Sequence, residues 1–255
     1  FFMQPTWIWA ANDRKGPFKK STYDYDSNVK YVAALGANAS FLMSVNPDIK
    51  TLKDCKNKKI QIDSMRGGAR QITFEDIFKS EGVLDGITFQ YGRAPRAMGA
   101  LRDGLLDVVN GGADLFKLPG EWRVAPYMTE LMATKHVYFI GIKKDWLADF
   151  KKRTGSPDSF YEIPPKMLGP TQTDKLGLLV KTSAWAVHKD MPDDVVYEFC
   201  KFLYEDIEKL TEYTPLAAAL SKKTMAAMGV PESKVHPAAL KFYKEKGIPI
   251  GSFHD

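Results

Sequence analysis

The chain has 255 residues, 44% of them hydrophobic, enough to bury the core of one large domain or two small ones. Its 36 Lys and Arg against 31 acidic residues leave a formal charge of +5, scattered rather than gathered into runs, which argues against a nucleic-acid partner. No apolar run approaches the roughly 18 to 20 residues that span a bilayer, and Cys55 and Cys200, with no C-x-x-C and no His-rich partner spacing, do not make a structural zinc site.

Residues 1–4 read as the end of a buried strand, with no Met at position 1, no basic leader and no cleavage pattern, so a portion of the chain is expected to precede them. Pro5 to Pro17 reads as a turn-rich connection. "NVKYVAALG" and "ASFLMSV" follow as two short strands, and "NPDIKTLKDCKNKK", broken at Asn46-Pro47, as a polar crossing linker. Next come strand-like "KIQID", a glycine loop, helix-like "QITFEDIFKSEG", strand-like "ITFQYG", helix-like "APRAMGALRDGLLD" and strand-like "VVNGG". That alternation predicts a parallel, doubly wound βαβαβ unit, with Gly82 as a left-handed C-cap and Pro95 in a first helical turn. A third helix is expected over "LPGEWRVAPYMTELMA", kinked or ended at Pro126, and then a strand at "HVYFIGI". After basic, amphipathic "KKDWLADFKKRTG" and a proline-rich loop, "LGLLVKTSAWAVHK" reads as one long strand or two joined ones. Helices opened by Pro192 and closed by Gly247 complete the chain.

Two glycine loops fall at carboxyl ends of predicted strands, where parallel α/β sheets bind ligands. One runs from Ser64 to Arg70 and includes Arg66, Gly67, Gly68 and Ala69; the other is Asn110 to Asp114, with Gly111 and Gly112. Glycine lets the backbone approach a ligand, free N–H groups at a helix start favour an anion, and Arg66 or Arg70 could clamp a carboxylate. Ordinary strand-to-helix turns have the same composition. Neither loop is G-x-x-x-x-G-K-[ST] or G-x-G-x-x-G, and no cofactor is expected. His136, His188, His236 and His254 lie near no catalytic motif, and core packing is the better reading for Trp7, Trp9, Trp122, Tyr161 and Trp185. Asp103 and Asp107 read as a solvated helical face, and both cysteines as ordinary thiols, although one disulfide stays open.

The tail "VHPAALKFYKEKG", residues 235–247, resembles the closing His-Pro-Gly-Ala-x-x-Tyr-Tyr-x-Glu-x-Gly pattern of TRAP-transporter solute receptors of the TAXI family. "TLKDCKNKKIQID" is similar to their crossing segment, "DDVVYEFCKFLYE" to their late helix, "LRDGLLDVVNGG" to the segment ending in their second binding loop, and "MQPTWIWAANDRKGPF" to the stretch after their third strand. This resemblance implies a periplasmic-binding-protein-like α/β fold of two lobes, each with a doubly wound, mostly parallel sheet, the first lobe incomplete. Residues 1–57 would be the remainder of lobe 1 and the crossing strand, 58–142 lobe 2, 143–169 the return connection, and 170–255 the completion of lobe 1. The implied protein is a periplasmic receptor, not an enzyme, made with a signal peptide. It would close on an organic anion or amino acid and deliver it to TRAP membrane subunits.

The resemblance of the start extends the expected ligand contacts to Gln4, Thr6 and Trp7. The sequence departs from the family in three ways. Its first strand, first helix and Gly-Ser-x-x-Asn loop have no counterpart here. Its Gly-Ser-Gly-Thr loop aligns with Arg66-Gly67-Gly68-Ala69, which removes both hydroxyls. Its early Asp is Thr6, and its closing Gly is Ala238. Two rivals remain open: an enzyme on the same bilobal architecture, and the effector-binding domain of a transcription regulator.

Overall fold

The computed structural model describes residues 2–118 and 120–253; the reading of His254 lies outside them. Strand β1 (Phe2–Met3) leads straight into helix α1 (Pro5–Asn12). The stretch that reads as a turn-rich connection is therefore helical at its start. Pro5 occupies the first helical turn, where its missing N–H costs nothing, and Ile8, Trp9, Ala10 and Ala11 are buried, so tertiary packing forms the helix. A short helix α2 (Tyr25–Asn28), capped by Asp24, precedes β2 (Val29–Ser44). The two expected strands are one, because register shifts at Tyr31/Ala33 and Ala34/Gly36 absorb the irregular residues without ending the ladder.

The βαβαβ unit follows as β3 (Lys59–Gln61), α3 (Ala69–Ser80), β4 (Thr88–Gln90), α4 (Ala94–Arg102) and β5 (Val108–Lys117). Gly82 takes φ +72° just past α3. Helix α4 ends at Arg102, so Asp103 and Asp107 do not share a helical face; Asp107 instead accepts the Lys59 N–H at 2.7 Å. Strand β6 (Glu121–Val124) and helix α5 (Pro126–Thr134) replace the single long helix, and Pro126 opens the helix instead of breaking it. Then come β7 (Tyr138–Ile140), α6 (Lys144–Thr154) and β8 (Ser159–Ile163), the last inside the proline-rich segment. Strand β9 (Leu176–His188), α7 (Asp193–Asp206) and α8 (Pro237–Lys246) complete the order.

Among the described residues nine strands form one mixed sheet in the order β1-β9-β2-β5-β3-β4, with β6 on β5, β7 on β2 and β8 on β9. The β4-β3-β5 unit pairs in parallel, as strand–helix alternation requires. The other pairs are antiparallel, since β2 runs out along the sheet and β9 runs back beside it, from Val29↔His188 to Ser40↔Leu179.

Two apolar clusters flank this sheet, and side-chain alternation decides which residues join each. Ala37, Ala39, Phe41 and Met43 of β2, Val109, Ala113 and Leu115 of β5, and Leu178, Val180 and Ala184 of β9 enter the larger one. The opposite face supplies Leu42, Val108 and Leu179 to the smaller cluster, with Trp9 of α1, Phe74 and Phe78 of α3, and Phe150 of α6. Cys55 and Cys200 are buried free thiols, one in each cluster.

Candidate ligand-binding site

Beyond Leu42, Val108 and Leu179, the second face turns polar. Register places Lys181, Asn38 and Asp114 in one row across β9, β2 and β5; Ser40 and Gly112 form the next row, and Asn110 stands opposite Leu42. Directly paired residues on neighbouring strands have Cβ atoms about 5 Å apart, so these side chains form one strip. Ser40 and Asn110 are buried, yet the Ser40 hydroxyl and the Oδ1 atoms of Asn38 and Asn110 have no hydrogen-bond partner within the protein. A buried, unpaired polar group costs about 1–3 kcal/mol. Three on one patch of sheet make this face the candidate ligand surface.

Arg70 adds a donor. It lies in the first turn of α3, its Nε is buried and unpaired, and its charge acts on both Lys181 and Tyr127. Asp114 acts on the same Tyr127 hydroxyl, so the guanidinium and the carboxylate flank it with opposite signs. Burial raises the pKa of Asp114 above 3.8, although the side chain still reaches solvent. Burial likewise raises Tyr127 above 10.0, helped by Asp114 and opposed by Arg70. Behind the strip, Lys181 donates to Asp158 Oδ2 at 2.7 Å, with both side chains removed from solvent. Burial draws the Lys181 pKa down from 10.5, and the Asp158 charge opposes that fall. Lysine, amide, hydroxyl and carboxylate groups thus share one face of the sheet.

The structure separates the sequence-predicted residues. Asn110 and Gly112 lie on the strip, and Arg70 is near enough for its charge to act on Lys181. The Asn110–Asp114 stretch is not a loop: it lies inside β5, because Gly111 has no side chain and leaves room for Phe41 and Met43 packed on its other face. Gly111 therefore turns toward the core. In the first loop, Ser64 and Arg66 are exposed and Ala69 is buried in the smaller cluster. Two of the loop amides already have acceptors: Ser64 N–H donates to Asp63 Oδ1 and Gly67 N–H to Gln71 Oε1, each at 2.8 Å. Gly67 takes φ +75° with its carbonyl against Gly16, and any side chain at Gly68 would fall on the Asp63 carboxylate. These glycines admit the protein's own groups. Gln4 is the half-buried N-cap residue of α1, and Trp7 packs edge-on against Phe18 with ring centroids 5.9 Å apart. Buried Thr6 donates to Asp158 Oδ1 at 2.6 Å.

Asn38, Ser40, Asp158 and Lys181 escape sequence reasoning. The available signal was a lone lysine in "LGLLVKTSAW" and a polar alternation in "GANAS", each inside an apolar strand.

The NMT1-like family matches residues 2–247. The chain belongs to that family. No curated protein matches it. Among solved structures, this NMT1-like chain is similar to one described as a periplasmic transporter, at 14% identity and TM-score 0.51, covering 98% of this chain and 78% of the other. It is also similar to the periplasmic binding protein BugD, at 12% identity and TM-score 0.48, over 97% and 77%. A third is Tv2483 bound to L-arginine, at 13% identity and TM-score 0.38, covering 71% of this chain and only 55% of that one. The fold is α/β and periplasmic-binding-protein-like.

Proposed function

We propose that this NMT1-like chain is an extracytoplasmic solute-binding receptor that captures a small organic anion or amino acid between two lobes. Lobe 2 comprises about residues 58–142, lobe 1 lies on either side of it in the sequence, and β2 and β9 are the strands about which the lobes close. Delivery to a TRAP-type membrane transporter follows from the resemblance of the tail to TAXI receptors. The reading takes a binding role over an enzymatic one.

One observation carries the reading: the Ser40 hydroxyl and the carbonyl oxygens of Asn38 and Asn110 are buried and unpaired on one face of the sheet, and the Arg70 Nε is buried and unpaired as well. A ligand that completes them needs an anionic group for Arg70 and hydrogen-bond donors for the two carbonyls. An amino acid carries both, whereas a plain dicarboxylate offers acceptors alone. The Ser64–Arg70 loop contributes through Arg70, since Asp63 and Gln71 already take two of its amides. Calorimetric titration with acidic and neutral amino acids beside dicarboxylates of equal length tests this. Binding of at least one amino acid, weakened roughly 10- to 100-fold by Arg70→Ala, is expected for the loss of a charge-assisted hydrogen bond. No binding across the panel, or full affinity in Arg70→Ala, overturns it.

A further inference from the structure

Asp158 sits in the connection between α6 and β8 with none of its surface exposed; side chains of α1 and β9 donate to its carboxylate, and the Thr73 hydroxyl of α3, which also bonds the Ala69 carbonyl at 3.1 Å, lies against it. Thr6 of α1 donates to Oδ1 at 2.6 Å; Lys181 of β9 donates to Oδ2 at 2.7 Å, and the Thr73 hydroxyl of α3 lies 3.3 Å from the same oxygen. All three partners are buried. A second tie joins the same two helices' surroundings. The loop after α1 packs backbone to backbone on the loop before α3, where a side chain at Gly16 would fall on the Gly67 carbonyl. Arg70 lies on the first turn of α3, between Gly67 and Thr73.

A buried ion pair is a poor way to gain stability, because the desolvation of two charges offsets their attraction and apolar residues of similar volume often do as well. What this pair supplies is registry. Lys181 stands in the same row as Asn38 and Asp114, so Asp158 relates the strip on β9 to the helix that carries Arg70. We propose that Asp158 is a positioning residue, clamping α1 and the first turn of α3 onto β9 so that the Arg70 guanidinium is held over the Asn38–Ser40–Asn110 strip. The clamp rests on the reading of that strip as the ligand site, but its mechanical part is measurable with no ligand present.

Hydrogen exchange on the full chain tests it. The Asp158→Leu/Lys181→Leu variant removes both charges together and leaves no lone buried ion. Thr6→Val removes one donor with almost no change of shape. In the double variant, amides of Trp9–Asn12 and of Ile72–Phe78 in α3 are expected to exchange at least about tenfold faster, while the hydrogen-bonded amides of α8 keep their protection. In Thr6→Val the acceleration is confined to α1. Unchanged exchange in α1 and α3, or an equal rise in α8 as in a uniformly destabilised fold, overturns the clamp. In titrations with L-glutamate, the double variant is expected to lose affinity with Arg70 still in place. If wild type binds no amino acid yet the local exchange pattern appears, the clamp stands and the proposed ligand falls.

Discussion

In the proposed site, Asp114 is the residue whose charge state gives the clearest pH signature. Protein packed around it raises its pKa above 3.8, so the carboxylate gains a proton sooner than a free aspartate as pH falls. The sign for binding follows. A ligand ammonium facing Asp114 is held by the charged form, so affinity is expected to decline as pH drops toward and through that raised value. In Asp114→Asn the decline disappears and affinity is low throughout; titration of wild type and variant from neutral into acidic pH checks it. An identical pH profile in both proteins contradicts the assignment. Sequence showed this residue at the end of "NGGAD" but gave it no partner. The reason is physical: Asn38 and Lys181 join its row only through strand register, and register links positions far apart in the chain. Thr6 shows the reverse case, a residue picked out near the start whose hydroxyl is spent on Asp158.

At the scale of elements, β5 explains why the second glycine stretch misled. Glycines after apolar residues usually end a strand, but here the β2 partner presents Phe41 and Met43, and only a residue without a side chain fits above them. Gly111→Ala puts its Cβ onto the Phe41 ring and Met43 Sδ, and overpacking of this kind costs about 1–3 kcal/mol. For a chain of this size that corresponds to a melting temperature lower by roughly 2–12 °C in a thermal scan. Gly112→Ala meets only the Ala39 carbonyl oxygen at 3.7 Å, so its stability is expected to stay close to wild type. Because that methyl points into the strip, ligand affinity falls instead. Equal melting temperatures for the two variants would show that the two faces of β5 are not distinct. Elsewhere local signals served well where they are local: the helices after Arg93, Pro192 and His236 and the left-handed Gly82 all follow from caps and prolines. Helix α1 failed that test because Trp7 to Ala11 are apolar without a break, so no polar stripe marks a helical period. Its stability comes from Trp9 and Ala10 packing on residues from distant parts of the chain.

For the whole molecule, the strand–helix alternation of residues 59–117 made the parallel unit legible, and the tail pattern pointed to a two-lobed receptor. The antiparallel crossing of β2 and β9 was not legible. Each strand is continuously apolar enough to be central, and nothing in a single sequence says which long strand pairs with which. That crossing brings together residues separated by some 140 positions, among them Asn38 and Lys181, and so creates the only part of the proposed site that no local motif announces. The central claim is that the strip under Arg70 is where a small molecule binds. A crystal structure of the protein grown with the tightest-binding amino acid of the titration panel tests it most directly. Density is expected for the ligand with its carboxylate on the Arg70 guanidinium and its donor groups on Asn38, Ser40 and Asn110. Density for the same ligand elsewhere, such as the pocket between Lys50, His136, Tyr138 and Gln172, with Arg70 turned away from the strip, would contradict it.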